Sequence, residues 1–273
     1  MKAAVIHSLG NITCDTVDDP IIKDQNDIIL RVTSTAICGS DLHMYSGGIP
    51  QARPMVMGHE FMGIVEEVGK NITSLRAGDR VVVPFPISCG SCFFCQHDLP
   101  TACEHSNPEH YGPEGGIVTE KGGALFGYSD LYGGYDGGQA QYVRVPYAHV
   151  GPRKVPENLS DEQVLFLTDI FPTGYTGVLW GELKGGETVA IFGAGPVGSM
   201  SAKSAILHNA RKVIVIDTQQ YRLDQIKNIT GCDTILWEDG KDVIRQIRDM
   251  TEGRGADVCI DAVGFEPDRN LLD

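Results

Sequence analysis

The stretch Thr188-Val189-Ala190-Ile191-Phe192-Gly193-Ala194-Gly195-Pro196-Val197-Gly198 decides the fold of the second half of the chain. An apolar strand runs directly into a G-x-G-x-x-G pattern that opens a helix, and this context gives an otherwise weak pattern its specificity. Gly193 permits the tight turn, Gly195 lets backbone amides approach a pyrophosphate, and Gly198 lets the helix pack near the strand. Pro196 in the first helical turn loses no hydrogen bond. We predict a dinucleotide site that includes these residues and Val197.

A regular alternation of strands and helices continues from this stretch to the end of the chain. The predicted strands are Thr188–Phe192, Lys212–Asp217, Thr234–Leu236 and Asp257–Asp261, and the predicted helices are 196–208, 221–228 and 242–250. Because the apolar runs are continuous rather than alternating, they favour a parallel sheet covered on both faces. The fold class is therefore α/β in this half.

Asp217 ends the second of these strands, where a carboxylate can accept hydrogen bonds from both ribose hydroxyls of an adenosine. It would repel a 2′-phosphate, so it favours NAD over NADP. A helix cap is the alternative role for this carboxylate. Arg222 either faces the adenosine side as a cofactor contact or is a solvated helix charge.

The first half of the chain is predicted to be rich in β-structure. Short β-branched runs at Ile28–Ser34, Gly63–Val68 and Arg80–Val83 are separated by Gly, Pro, Asn and Asp. Residues 112–138 are expected to form a long irregular loop, and Ser160 with Gln163 fits a capping box that opens a helix. We place one domain at 1–155 and a second at 156–273.

Four cysteines form the strongest metal signal, with the spacing Cys89-x2-Cys92-x2-Cys95-x7-Cys103. Four thiolates on short loops match the tetrahedral sulfur coordination of structural zinc. Disulfides between such close neighbours would be strained, and an iron–sulfur cluster of the ferredoxin type needs a different last spacing. Chance burial of four cysteines is the remaining alternative.

The composition limits the partners and the compartment. The chain has 273 residues, 42% hydrophobic and 21% charged residues, and a net charge of −14, which argues against binding to nucleic acid or to an anionic membrane. No apolar run approaches the length of a membrane span, and the first residues do not form a signal peptide. Eight cysteines in such a chain predict reduced or metal-bound thiols and a cytoplasmic location.

Two further motifs, Cys38-x-Ser40-x2-His43 and Gly58-His59-Glu60-x2-Gly63, precede the cysteine cluster and the glycine pattern. In this order the motifs resemble those of zinc-dependent medium-chain alcohol dehydrogenases, and the resemblance covers essentially the whole chain. It implies a β-rich GroES-like catalytic domain followed by a Rossmann domain. It also implies two zinc ions per chain, NAD as cofactor, and a small alcohol or aldehyde as substrate.

The same resemblance assigns the catalytic roles. Cys38, His59 and Asp169 would bind the catalytic zinc, with Glu60 as an alternating or outer ligand. Ser40 would accept the alcohol proton and His43 would carry it toward solvent; Thr173 and Val263 would contact NAD. Asp169 could instead cap the end of its helix.

An aspartate at position 169, where many members have cysteine, is similar to the glutathione-independent formaldehyde dehydrogenase branch. The stretches 171–177 and 137–142 are similar to it as well. Specificity for threonine or a polyol is the nearest alternative.

The predicted Rossmann domain contains four strands before Asp273, where similar dehydrogenases have six. We therefore expect a truncated domain with an exposed apolar sheet edge and a tendency to form a homo-oligomer, either a dimer or a tetramer. The alternative function is that of a zinc- and dinucleotide-binding fragment or subunit without turnover.

Overall fold

Antiparallel β-structure dominates the first part of the chain in this computed structural model, which describes residues 1–49, 54–107 and 122–264. The strands of this part are β1 (Lys2–Ser8), β2 (Asn11–Thr16), β3 (Ile28–Thr35), β4 (Met55–Val56), β5 (Phe61–Val68), β6 (Arg80–Val83), β7 (Pro86–Ile87), β8 (Ala124–Leu125), β9 (Tyr142–Val145) and β10 (Arg153–Lys154). Its helices are α1 (Gly39–Ser46), α2 (Phe93–Gln96) and α3 (Asp161–Val164). Two compact units divide between Asp169 and Ile170.

The described strands of the first unit form three sheets. The largest has the order β10-β6-β5-β3-β9, and its neighbours pair antiparallel. Strands β2, β1 and β4 form a second sheet, and β7 pairs with β8. The largest sheet buries Ile28, Leu30, Phe61 and Val81 in one core cluster, since alternate residues of a strand point to the same face. The three predicted strands are confirmed as parts of β3, β5 and β6.

The second unit contains α4 (Ile170–Trp180), β11 (Thr188–Phe192), α5 (Pro196–Leu207), β12 (Lys212–Asp217), α6 (Gln220–Thr230), β13 (Asp233–Leu236), α7 (Val243–Asp249) and β14 (Val258–Asp261). All neighbouring strands are parallel, in the order β13-β12-β11-β14. Numbered within the unit, this order is 3-2-1-4, as the Rossmann fold requires. The predicted strands and helices agree with the observed ones to within two residues at each end.

Both faces of this parallel sheet are covered. Ile191 and Val215 belong to one buried cluster, while Ala190, Ile214 and Ile235 belong to a second cluster with Ile247 of α7. Adjacent residues of one strand thus enter different cores, which explains why the strand sequences are apolar throughout.

The segment around α3 packs on the first unit. Ser160 and Gln163 form the predicted capping box, with the Ser160 amide donating to the Gln163 Oε1 at 2.9 Å. Beyond it, Val164 and Leu165 join Met62 in a buried cluster. The compact units thus divide at Asp169, while the domain boundary at residues 155 and 156 stays a prediction.

The predicted irregular loop is described only in part. Residues 112–121 lie outside the described residues. The remainder, 122–138, includes the short strand β8 and a 3-10 turn at Asp130–Tyr132. Within the described residues, no helix has the length and apolar character needed to cross a membrane.

Candidate metal centres and dinucleotide-binding site

Three predicted ligands meet in the first unit. Cys38 is the N-cap residue of α1, His59 precedes β5, and Asp169 ends the 3-10 turn Leu165–Thr168. Their ligand atoms all lie within 4.8 Å of one another. The Cys38 Sγ is 3.7 Å from the Asp169 Oδ2, which is 3.2 Å from the His59 Nε2.

These separations fit a tetrahedral zinc ion. Zinc bonds of ordinary length place a thiolate sulfur about 3.5 Å from a carboxylate oxygen and an imidazole nitrogen about 3.3 Å from it. The side chains of His59 and Asp169 are 4% and 11% exposed, so they already lie in a sheltered site. Cys38, His59 and Asp169 would therefore supply three ligands and leave a fourth position open.

The backbone at Gly58 helps to aim His59. Gly58 has a φ of 102°, and a Cβ atom there would lie 2.6 Å from the Gln139 amide nitrogen. Only glycine combines this left-handed conformation with so close an approach. The Gly-His-Glu order of the motif thus has a steric reason for its first member.

Asp41 is a site residue that the sequence analysis did not identify. It is buried, and its Oδ1 lies 3.4 Å from the His59 Nδ1, the ring nitrogen not directed at Asp169. Its Oδ2 accepts hydrogen bonds from the Cys38 amide at 3.0 Å and the Gln139 Nε2 at 3.3 Å. Its position at the third residue of α1, typical of a capping box, was the available signal.

The charge around His59 favours a cation. Burial alone lowers the pKa of the imidazole, but the nearby carboxylates of Asp169 and Asp41 and the Cys38 sulfur raise it to about 12. The surroundings thus stabilise positive charge at this position. A site with an excess of anionic donors and one imidazole fits a divalent metal ion.

The remaining residues of the catalytic motifs lie nearby in the fold. The Ser40 hydroxyl is 3.3 Å from the His59 Nε2, and His43 follows it by three residues on α1. Glu60 is buried beside His59 but does not belong to the group of three ligand atoms. Among the two candidates for the third ligand, the geometry favours Asp169.

The four cysteines also converge. Their sulfur atoms lie within 4.8 Å of one another, with Cys89–Cys95 at 4.0 Å and Cys92–Cys103 at 3.9 Å. A tetrahedral zinc with four thiolates places sulfurs about 3.8 Å apart, whereas a disulfide needs about 2 Å. All eight cysteines of the chain lie within the described residues, and all are free.

Local donors stabilise negative charge on Cys89, one member of this cluster. The Cys89 sulfur accepts hydrogen bonds from the amides of Ser91 and Cys92, at 3.4 and 3.3 Å, and lies 3.4 Å from the His105 Nδ1. Burial raises the pKa of this thiol, but the hydrogen bonds lower it to about 6. A thiolate stabilised by these hydrogen bonds is suited to bind a metal ion.

The glycine pattern forms the predicted turn between β11 and α5 in the second unit. Gly193 has a φ of 98°, Gly195 is the N-cap residue, and Pro196 is the first residue of α5. A Cβ atom on Gly198 would lie 1.9 Å from the Gly193 carbonyl oxygen, so only glycine fits there. The amides at the start of α5 are available to an anion, as at other helix N-termini.

Asp217 lies beside this turn at the end of β12. Its Oδ2 accepts from the Ala194 amide at 2.7 Å, and its Oδ1 accepts from the Gln219 amide at 2.8 Å. An ionised carboxylate has about four acceptor positions, so two remain for ribose hydroxyls. The guanidinium of Arg222 reaches only 3.9 Å from the Asp217 Oδ2 and is half exposed, which fits a solvated helix charge better than a fixed contact.

The other predicted cofactor residues lie near the same sheet edge. Thr173 of α4 and Val197 of α5 line a cavity of about 380 Å³ within the second unit. Val263 follows β14, and its amide donates to the Asp261 Oδ1 at 3.0 Å. The volume of the cavity lined by Thr173 and Val197 lies within the range of small-ligand pockets.

Comparisons with family models and with similar proteins agree on the family of this chain. Residues 24–157 match the alcohol dehydrogenase GroES-like domain, and residues 196–271 match the zinc-binding dehydrogenase family. An uncharacterized zinc-type alcohol dehydrogenase-like protein of Bacillus subtilis is 43% identical over 97% of this chain and 68% of its own length. The chain belongs to the zinc-type alcohol dehydrogenase family. This family uses zinc and NAD as cofactors.

Two other members of the zinc-type alcohol dehydrogenase family extend the comparison. A glutathione-independent formaldehyde dehydrogenase of Bacillus subtilis is 38% identical over 97% of this chain and 66% of its own length. The solved alcohol dehydrogenase of Thermus sp. ATN1 superposes with a TM-score of 0.86 at 37% identity, covering 97% of this chain and 71% of the other. The chain thus spans about two thirds of the length of these relatives.

Two aromatic side chains complete this family member's three-ligand site, and neither was predicted. The Phe85 and Tyr128 rings pack edge to face against the His59 imidazole, with centroids 6.3 and 5.6 Å away. The Phe85 amide also donates to the Thr168 carbonyl at 3.0 Å, next to Asp169. No short motif contains either residue, because both reach His59 from separate segments of the chain.

Proposed function

We propose that this protein transfers a hydride between an alcohol, or a hydrated aldehyde, and NAD, with zinc as the catalytic metal. The observation that carries the proposal is the convergence of the Cys38 Sγ, the His59 Nε2 and the Asp169 Oδ2 at distances that suit tetrahedral zinc. A zinc site with three protein ligands keeps one position for a substrate, which distinguishes a catalytic site from a structural one.

The chemistry divides between the cofactors and the chain. When bound, zinc supplies Lewis acidity toward an alcohol oxygen, and NAD supplies the hydride acceptor. Cys38, His59 and Asp169 hold the metal, while Asp41 fixes the orientation of the imidazole through its second nitrogen. Glu60 would lie outside the three metal ligands, next to His59, rather than supply the third ligand.

Ser40 and His43 form the proposed proton path. The Ser40 hydroxyl lies 3.3 Å from the His59 Nε2, so it borders the metal position and can accept the alcohol proton there. His43 lies on the next turn of α1 and carries the proton onward. An imidazole suits that step because one ring nitrogen can accept a proton while the other donates one.

The glycine turn and its neighbours are proposed to bind NAD. Gly193, Gly195, Pro196, Val197 and Gly198 form the pyrophosphate contact at the start of α5. Asp217 accepts the ribose hydroxyls and excludes a 2′-phosphate. Thr173 and Val263 support the remainder of the cofactor, and Arg222 contributes at most from solvent.

The four-cysteine cluster is proposed to bind a second zinc ion with a purely structural role. Cys89, Cys92, Cys95 and Cys103 fill a tetrahedral shell and leave no position for a substrate. The expected stoichiometry is therefore two zinc ions per chain.

The favoured substrate class is that of a small alcohol or hydrated aldehyde. Asp169 in place of a cysteine ligand and the similarity to a glutathione-independent formaldehyde dehydrogenase support this choice. We further propose a cytoplasmic homo-oligomer, a dimer or a tetramer. The eight free thiols support the compartment, and membership of the zinc-type alcohol dehydrogenase family supports the assembly.

The test is NAD reduction with small alcohols and with hydrated formaldehyde, before and after treatment with a chelator. We expect turnover that the chelator abolishes and that Cys38→Ser lacks, while Cys14→Ser, at an exposed cysteine, retains it. Turnover that persists without zinc would overturn the mechanism. NAD binding without any turnover would instead support a zinc- and dinucleotide-binding protein.

A further inference from the structure

Gln139 lies beside the three-ligand site but has no role in the mechanism described above. Its side chain is half-buried, and its Nε2 atom donates hydrogen bonds to the Ala36 carbonyl and to the Asp41 Oδ2, both at 3.3 Å. A carbonyl oxygen and a carboxylate accept hydrogen bonds, and a carboxamide nitrogen carries two N–H donors. The two partners therefore require the nitrogen of this amide, not its oxygen, to face them.

The two acceptors lie on either side of Cys38 in the chain. Ala36 comes two residues before this cysteine, and Asp41 comes three residues after it. The Asp41 Oδ2 also accepts a hydrogen bond from the Cys38 amide at 3.0 Å. The amide of Gln139 thus holds both ends of the turn that carries the thiol ligand.

The remainder of Gln139 contacts the segment that carries the imidazole ligand. Its backbone amide donates to the Met57 carbonyl at 2.9 Å, two residues before His59. A Cβ atom on Gly58 would lie 2.5 Å from the Gln139 Cγ, so the side chain lies directly over the residue that precedes His59. Gln139 therefore connects the segments of two of the three proposed ligands.

We propose that Gln139 is a positioning residue for the three-ligand metal site: its side-chain amide fixes the Asp41 carboxylate and the turn around Cys38 relative to His59. This inference rests on the proposed function, since the metal there is the catalytic zinc. A partner that orients the groups around a metal ligand contributes to metal affinity without contacting the metal.

Gln141 provides a matched control, because it is a second glutamine on the same segment. Its backbone amide donates to the Lys2 carbonyl at 3.0 Å, and its side-chain Oε1 accepts from the Lys2 amide at 2.7 Å. Both glutamines thus bond to other segments of the first unit, but the side chain of Gln141 is exposed and bonds to β1 rather than to the turn around Cys38.

The experiment measures the zinc affinity of both metal sites in the full chain, by competition with a chromophoric chelator. Gln139→Met keeps the approximate size of the side chain but removes its donors. We expect it to weaken zinc binding at the three-ligand site about fivefold to tenfold, the effect of a lost hydrogen bond, and to leave the four-cysteine site unchanged. Gln139→Asn, which is one methylene too short to reach both acceptors, should show the same selective loss, whereas Gln141→Met should bind both zinc ions as the wild type does.

A spectrum tests the positioning role directly. With cobalt(II) in place of zinc, the visible absorption reports ligand geometry, so Gln139→Met should alter the bands of the three-ligand site and Gln141→Met should not. Unchanged affinity in both Gln139 variants, an equal loss at both metal sites, or the same loss in Gln141→Met would overturn the role of Gln139 while leaving the proposed function intact. A wild-type protein that binds zinc only at the four cysteines would overturn both.

Discussion

The Nδ1 atom of His59 lies 3.4 Å from the Oδ1 atom of Asp41, while the Nε2 atom of the same ring faces Asp169. One carboxylate thus sets the orientation of the imidazole, and the other shares the proposed metal with it. The Asp41 carboxylate also accepts a hydrogen bond from the Cys38 amide. Asp41 therefore orients two of the three ligands, His59 and Cys38.

Replacement of Asp41 should therefore weaken one metal site selectively. Asp41→Asn is expected to lower zinc affinity at the three-ligand site by about 10- to 100-fold, as outer partners of metal-binding histidines typically do. Competition with a chromophoric chelator measures this affinity, and the four-cysteine site in the same molecule is the internal control. Equal loss of both zinc ions would show general unfolding instead.

The two metal sites should also differ in how much each of them stabilises the protein. Cys103 is fully buried within the cluster, so Cys103→Ser should remove one zinc ion and destabilise the first unit by about 4 kcal/mol. We expect a fall in Tm of about 8–16 °C. Cys38→Ser should remove the other zinc ion with a smaller fall, as measured by metal analysis and calorimetry. A protein that keeps two zinc ions in either variant would contradict these assignments.

The parallel sheet could be predicted from the sequence because its signals are local. Each strand is a continuous apolar run that ends at a turn, and Gly193 directly follows one of them. By contrast, the hairpin of β1 and β2 was not predicted, since β2 is exposed along nearly its whole length and its six residues include only two apolar side chains, Ile12 and Cys14. A strand without a buried face has little pattern for sequence reasoning to detect.

The candidate metal sites could be predicted to different extents for a similar reason. The four cysteines lie in one short segment, whereas Cys38, His59 and Asp169 come from three segments and were assigned through a family resemblance. Asp41 and Tyr128 were missed, because their roles arise from contacts that only the folded chain creates. Polar residues that orient ligands have no spacing rule of their own.

Two substitutions in the glycine turn should have different effects, one on protein stability and the other on NAD binding. A Cβ atom on Gly198 would lie 1.9 Å from the Gly193 carbonyl, so Gly198→Ala should lower stability by about 3 kcal/mol. A Cβ on Gly195 meets no atom within 4 Å, and its φ is −70°. Gly195→Ala should therefore keep the Tm but weaken NAD binding at least about tenfold, because the methyl group would occupy the pyrophosphate position.

Calorimetry and a fluorescence titration with NAD measure the two effects. Gly39→Ala is a suitable control, since a Cβ at Gly39 also meets no atom within 4 Å and lies outside the glycine turn. Wild-type NAD affinity in Gly195→Ala would contradict the proposed pyrophosphate contact.

Thiol reactivity should report the state of all eight cysteines. Cys14 and Cys259 are exposed and should react rapidly with a thiol reagent at pH 8. Burial raises the pKa of the Cys232 thiol, so less thiolate forms at this pH and its reaction should be at least about tenfold slower. In the zinc-loaded protein the other five should be protected, and a chelator should expose them. More than two rapid thiols before chelation would indicate that a zinc site is incomplete.

Asp217 should determine the choice between NAD and NADP. Asp217→Asn removes the negative charge but keeps an oxygen that can accept the Ala194 amide, so the turn should stay folded. We expect NAD to bind about tenfold more weakly and NADP to bind more tightly, because the repulsion of a 2′-phosphate is lost. Arg222→Ala is the paired control: a solvated guanidinium 3.9 Å from the carboxylate should leave NAD affinity unchanged. If Arg222→Ala weakened NAD binding as much as Asp217→Asn, the arginine would be a true adenosine contact.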